Sequence, residues 1–252
     1  MRIAVCFKIV PDYDSVPNES WRGNGVPNFR FAKKNFGFFD EGALETALKL
    51  KDDGAEVYLE AVCLGKSEPI FTEKLYAAGY DCVTWLKNRC DDFDSSRTAS
   101  ILSDYLKNGD FDFILTGEAA CPAETGYVPY ALADKMGISV LDRVTGMSYR
   151  DGAVCVRRES AFAYEEYILS APAVLIVSNA EKPYLRFSSF KQREDASKRP
   201  SASALIKTPA ASAPVRVHLG KSLRKTRRID FIGGSVEEKA DALIKLIGGD
   251  GQ

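Results

Sequence analysis

The residues best suited to do chemistry stand between Gly117 and Val128, where Glu118, Cys121, Glu124, Thr125, Gly126 and Tyr127 crowd one short segment. The chemistry that fits them is the binding of an anion. The preceding run 111–115 is apolar, aromatic and too short for a typical helix, and Gly117 ends it, so it reads as a buried strand. Thr125 or Glu124 can cap a helix whose first turn holds Pro129. At such a junction unpaired N–H groups and the helix dipole face the carboxyl end of the strand, where open parallel sheets take their ligands. An ordinary βα turn has the same pattern, so this segment alone leaves both readings open.

Catalytic groups are a poorer fit. The chain has one histidine, His218, within the alternating stretch 215–219, and neither a GxSxG elbow nor a paired-acid motif. No nucleophile–base set results. Cys121 sits in the ligand loop with no base in view. The six cysteines, at 6, 63, 82, 90, 121 and 155, form no CxxC pair and have no histidine nearby in sequence. That pattern argues for reduced thiols in a cytoplasmic protein and against a metal centre.

The elements that must position the 117–128 segment alternate between strand and helix. Residues 3–10 form an apolar run suited to a strand buried on both faces, and 13–38 read as a long excursion with room for a short hairpin. Asp40 and Glu41 open a helix closed by Gly54. A strand at 56–64, a helix near 67–78, a strand at 82–86, an acidic loop at 91–94, a helix at 95–107 and a helix at about 126–136 follow. This order predicts an α/β fold with a mostly parallel, doubly wound sheet. Strand candidates at 140–149, 153–158, 164–169 and 173–178, separated by Asp151-Gly152 and Ala171-Pro172, read as added antiparallel material.

From Glu181 the composition changes. Aromatics among basic residues at 183–191 lead into an Ala-, Ser-, Pro- and Lys-rich stretch at 195–216, too poor in large apolar residues to build a core. A last amphipathic helix is capped by Ser235 with Glu238 at capping-box spacing. The expected division is therefore an α/β domain over 1–180 and an extended arm over 181–252 that takes its order from a partner. A net charge of −1 and a pI near 6.0 argue against a general nucleic-acid or membrane-surface binder, and no targeting or membrane-spanning segment is expected.

Several motifs, in shared order over some 240 residues, resemble the beta (small) subunit of electron transfer flavoproteins. They are Lys8 with Val10-Pro11-Asp12, Phe39-Asp40-Glu41 with Ala43-Leu44-Glu45, Gly117 followed by Thr125-Gly126 and Val128, Arg157-Arg158-Glu159, Leu169 with Ala171-Pro172-Ala173-Val174, Glu181 with Pro183 and Arg186-Phe187-Ser188, and Arg227 with Glu238-Lys239-Ala240. The resemblance implies a heterodimer whose alpha subunit carries the redox-active FAD, with AMP or a second FAD in this subunit and a dehydrogenase as redox partner. It implies electron transfer without catalysis by this chain, the flavin supplying the redox chemistry. The competing class is a stand-alone adenine-nucleotide-binding protein of the alpha-hydrolase type.

The implied nucleotide pocket comprises Cys6, Lys8, Phe38, Phe39, Asp40, Cys63, Gly65, Gly117, Glu124, Thr125, Gly126, Tyr127 and Val128, all at carboxyl ends of strands or the loops after them. The implied partner surface comprises Arg186, Phe187, Phe190 and Lys191. Departures from the family are local. Gly37-Phe38-Phe39 replaces an Asn-Pro-Phe, while Pro122, Glu124 and Tyr127 replace paired aspartates and a glutamine. Phe190 takes the position of a leucine in the recognition loop. A ligand held through backbone amides tolerates such changes better than one held by side chains.

Overall fold

A computed structural model describes residues 1–17, 29, 32–88, 90, 94–207 and 231–247. Along the chain the elements are β1 (Arg2–Phe7), β2 (Ile9–Pro11), β3 (Lys34–Phe36), α1 (Phe38–Asp52), β4 (Tyr58–Leu64), α2 (Pro69–Ala78), β5 (Cys82–Leu86), α3 (Ser95–Leu106), β6 (Phe113–Gly117), α4 (Tyr127–Met136), β7 (Ser139–Arg150), β8 (Ala153–Glu159), β9 (Tyr164–Ile168), β10 (Ala173–Val177), α5 (Phe190–Ser197), β11 (Ala202–Ala204) and α6 (Val236–Ile247). Nine strands make one sheet in the order β11-β5-β4-β1-β6-β10-β7-β8-β9, and β2 pairs antiparallel with β3 outside it. The sheet is mostly parallel, as the alternating sequence requires.

Period-two alternation splits the core into two layers. Ile3, Val5 and Phe7 point with Leu44, Leu48, Leu75 and Trp85 into the layer beneath α1 and α2. Ala4 and Cys6 point with Val62, Ile101, Leu102, Ile114 and Leu132 into the layer beneath α3 and α4. Aromatic edges fix the first layer, with Phe7 against Phe36 and Trp85, and Phe36 against Phe71. The Trp85 indole N–H finds a partner in Thr72 Oγ1 at 3.0 Å.

Two expectations are corrected. The strand expected at 3–10 breaks at Lys8, because the Lys8 N–H leaves the ladder to donate to Asp40 Oδ2 at 2.9 Å. Of the segment expected to be antiparallel, only β8, β9 and the second half of β7 are so. β10 runs parallel between β6 and the first half of β7, all five of its residues buried. An unbroken Ala-Val-Leu-Ile-Val run is what a strand covered on both faces needs, and it outweighs the turn signals around it.

The beginning of the expected arm folds onto its own domain. Residues up to Lys207 belong with the α/β unit, and 231–247 fall in a second unit. Helix α5 opens with a Ser189/Gln192 capping box and packs on α2, where Arg193 pairs with Glu73, Ala196 is buried, and Arg199 lies 4.0 Å over the Tyr76 ring while donating to Asp81 O at 2.7 Å. Strand β11 then pairs parallel with β5. In the second unit, α6 carries the expected capping box, Ser235 and Glu238 bonding each other's backbone N–H, and exposes Leu243, Ile244 and Leu246. The Ala/Ser-rich residues from 208, His218, Arg227 and the acidic positions 91–93 lie outside the described residues.

β11 is a three-residue edge strand, and Asn88 fastens its exit. The Asn88 amide donates to Ile206 O at 2.7 Å and accepts from Ile206 N–H at 2.9 Å. Asn88→Ala removes both bonds, worth about 1–2 kcal/mol together, and is expected to speed hydrogen exchange at 203–206 roughly tenfold. Unchanged exchange there would show that pairing with β5 alone holds the strand.

Candidate functional site

The chain runs from β1 to β4 and β5 on one side, then returns to place β6 on the other side of β1, so the strand order reverses between β1 and β6. Such a reversal opens a crevice at the carboxyl ends of the two strands. Here it is stapled underneath. Asp40, in the first turn of α1 and 5 % exposed, accepts from Lys8 N–H through Oδ2 and from Gly117 N–H through Oδ1, at 2.9 and 3.2 Å. Gly117 is needed because a Cβ there would stand 2.7 Å from Asp40 N and 2.8 Å from the Phe39 carbonyl carbon. Burial raises the Asp40 carboxyl to about 7, against the lowering effect of its two backbone bonds.

Above the staple lies a cleft of about 190 Å3, against the ~10–15 Å3 that one water needs, so it is ligand-sized. Its apolar wall is Val62, Leu64, Leu102 and Val128. Its polar wall is Asn88, Ser95, Thr98 and Thr116, and the 118–126 loop and first turn of α4 close the rim. Gly126, in the left-handed region at φ 62°, is the N-cap of α4 and offers no side-chain acceptor; Thr125 Oγ1 takes the Tyr127 N–H at 3.3 Å. The loop is tied to α3 by Ser95 Oγ and Thr125 Oγ1 at 3.2 Å.

One polar atom in the cleft wall lacks a partner among the described residues. Thr116 lines it and is 5 % exposed, yet Thr116 Oγ1 has no hydrogen-bond partner among the described residues. Buried hydroxyls are ordinarily satisfied, and an orphan in a cleft wall fits a site completed by a ligand. Among the described residues, carboxyl groups at Asp40, Glu118 and Glu124 outnumber the lining cation Lys8. Beside Lys8, the N-terminus of α4 brings the positive end of its dipole to the rim of the cleft.

Of the sequence-predicted pocket, Cys6, Lys8, Asp40, Gly65, Gly117, Glu124, Thr125, Gly126, Tyr127 and Val128 line this cleft. Cys63 does not, because its neighbours Val62 and Leu64 take that face and turn Cys63 into the opposite core layer. Burial raises its thiol to about 12, and raises Cys6 as well. Phe38 and Phe39 line a second groove of about 470 Å3 with Tyr13, Phe36, Phe71 and Tyr184. Cys121 borders that groove too. Burial and the Glu124 carboxylate, which accepts from Sγ at 2.6 Å, raise it to about 11, which disfavours the thiolate.

Sequence reasoning missed Thr116, Asn88, Ser95 and Thr98. The signal for Thr116 was a lone hydroxyl ending an apolar strand, while the α3 residues reach the cleft only through helix packing. Of the residues expected to meet a partner, the Arg186 guanidinium is held by Glu45 and Asp52 of α1, whereas Phe187, Phe190 and Lys191 are exposed.

Comparison with known proteins agrees with this architecture. A family model described as the electron transfer flavoprotein domain matches residues 32–214. The chain is 27% identical over 243 residues to a protein named electron transfer flavoprotein subunit beta from Megasphaera elsdenii, covering 91% of this chain and 87% of that one. It is 23% identical over 253 residues to a protein named "Putative electron transfer flavoprotein subunit YgcR" from Escherichia coli (strain K12), covering 96% of each.

Proposed function

Since the chain belongs to the electron transfer flavoprotein family, we propose that it acts as the small subunit of a heterodimer whose alpha subunit bears the FAD that carries electrons. The observation supporting a ligand of its own is the cleft at the strand-order reversal with its orphaned Thr116 hydroxyl. That ligand is an adenine nucleotide, AMP or a second FAD. Val62, Leu64, Leu102 and Val128 supply an apolar slot for the base, and the dipole at the N-terminus of α4 favours a phosphate. Bound flavin supplies the redox chemistry, while this chain binds, orients and shields.

The aromatic groove serves a different contact. Phe38 is 62 % exposed and stands edge-on to Phe39, and with Tyr13 and Tyr184 it offers ring faces suited to the partner subunit's flavin. Phe187 and Phe190, fully and largely exposed, form with Lys191 the surface for a dehydrogenase, and Arg186 fixes the segment that presents them. A cytoplasmic site of action fits six cysteines, none of them in a disulfide. A stand-alone nucleotide-binding protein is disfavoured by a family match spanning most of the chain.

Co-expression with the FAD-bearing subunit is expected to give a yellow complex. Denaturing that complex should release FAD together with AMP, or FAD in twofold excess over the heterodimer, by mass spectrometry. A complex releasing one FAD and nothing else would retire the nucleotide in this chain. A colourless monomer that hydrolyses ATP would retire the carrier role.

A further inference from the structure

The cleft and the aromatic groove share a wall. Ala119, Ala120 and Glu124 border both, whereas Cys121 borders only the groove and Cys90 only the cleft. The shared wall is a short loop held at few points: Glu118 N–H to Val177 O at 3.0 Å at its start, Glu124 N–H to Ala120 O at 3.0 Å across it, and Thr125 to Ser95 of α3 at its end. Glu124 sits in the left-handed region at φ 46°, a conformation that a residue with a side chain keeps only where its surroundings impose it. Its carboxylate turns back to hold Cys121, on the groove side.

We propose that the 118–126 loop links the two sites, so that a nucleotide in the cleft sets the shape of the groove, with Glu124 as the positioning residue. The inference rests on the reading of the cleft as a nucleotide site. A ligand packed against Ala119, Ala120 and Glu124 from one side limits the motion of the same atoms on the other side. Ordering one face of a thin wall thus orders both. By thermodynamic reciprocity, a ring seated in the groove then favours the nucleotide to the same degree.

Cysteine alkylation on the full chain reads both faces at once. Rates for individual cysteines are followed by peptide mass spectrometry with and without saturating AMP, and in a parallel series FAD. Cys90 reports whether the cleft is filled, Cys121 reports the groove, and Cys155, on β8 and bordering neither, is the control. The expected result is slowing at Cys90 and slowing of about fivefold or more at Cys121, within the usual range of coupling between sites. Glu124→Ala, compared at a nucleotide concentration raised until Cys90 protection again saturates, should abolish the slowing at Cys121. Protection of Cys90 with an unchanged rate at Cys121 would overturn the link and leave the nucleotide site standing. No protection of Cys90 by either nucleotide would overturn the nucleotide reading, and the link with it.

Discussion

Arg186→Ala will destabilise the folded chain by about 3–5 kcal/mol, the usual penalty for leaving a buried charge without its partner. Arg186 meets Glu45 with Nε at 3.1 Å and Nη2 at 2.8 Å, and its own N–H donates to Glu45 Oε2 at 2.9 Å. Glu45 is 3 % exposed, so truncation strands a carboxylate away from water. The second partner, Asp52, is met at 2.9 and 2.7 Å and its carboxyl is lowered by the guanidinium, but it is largely open to solvent and adds little. Urea unfolding checks the value. Arg186→Lys should fall between wild type and alanine, because one ammonium cannot span both carboxylates. The double change Arg186→Ala with Glu45→Gln should recover much of the loss. A single-variant cost below about 1 kcal/mol would place the clamp among ordinary surface pairs.

Asp40 gives the second large effect, and its sign follows from burial. Its folded-state value near 7 lies above the 3.8 of an exposed carboxyl, so between those pH values the folded chain holds a proton that the unfolded chain has released. Stability attributable to this group is thus fully present below about pH 4 and falls as pH rises to 7. At about 1.36 kcal/mol per unit, the span is on the order of 4 kcal/mol. Asp40→Asn removes the titration while leaving one of two backbone N–H groups unpaired. The variant should therefore be weaker than wild type at pH 4 and gain relative to it by pH 7. Parallel pH profiles of unfolding for the two chains would disprove the assignment.

Much of this site was legible because its elements obey local rules. The strand–loop–helix at 113–136, the Asp40-Glu41 helix start and the glycines at 65, 117 and 126 all carry their geometry in their own sequence. What could not be read was which side of a strand faces the ligand. Cys63 and Val62 are both apolar and buried, and only the packing of α3 against α4 decides that Val62 meets the cleft. Phe38 and Phe39 begin α1 beside the cleft, yet the shared loop screens them from it and gives them to the groove. The docking of the segment after Glu181 is illegible for a related reason. The stretch read as poor in large apolar residues begins at 195, yet Arg186, Arg193 and Arg199, the buried Leu185 and Ala196, and Asn88 beyond β5 dock the segment up to Ile206 onto α1, α2 and β5. Composition scales register apolar area and miss such directed contacts.

The place of β10 has a consequence for how the chain is made. β7 leaves the ribosome before β10, but its neighbours among the described strands are β10 and β8. The nascent β7–β8–β9 meander therefore has no seat until β10, which starts at Ala173 just after β9 ends at Ile168, has been synthesised, and β6 waits with one edge bare. β10 must then enter between two strands already translated, closing non-local pairs on both sides. The opposite edge is finished later still by β11. Both halves of the sheet are thus joined through one five-residue strand that is translated after its two neighbours.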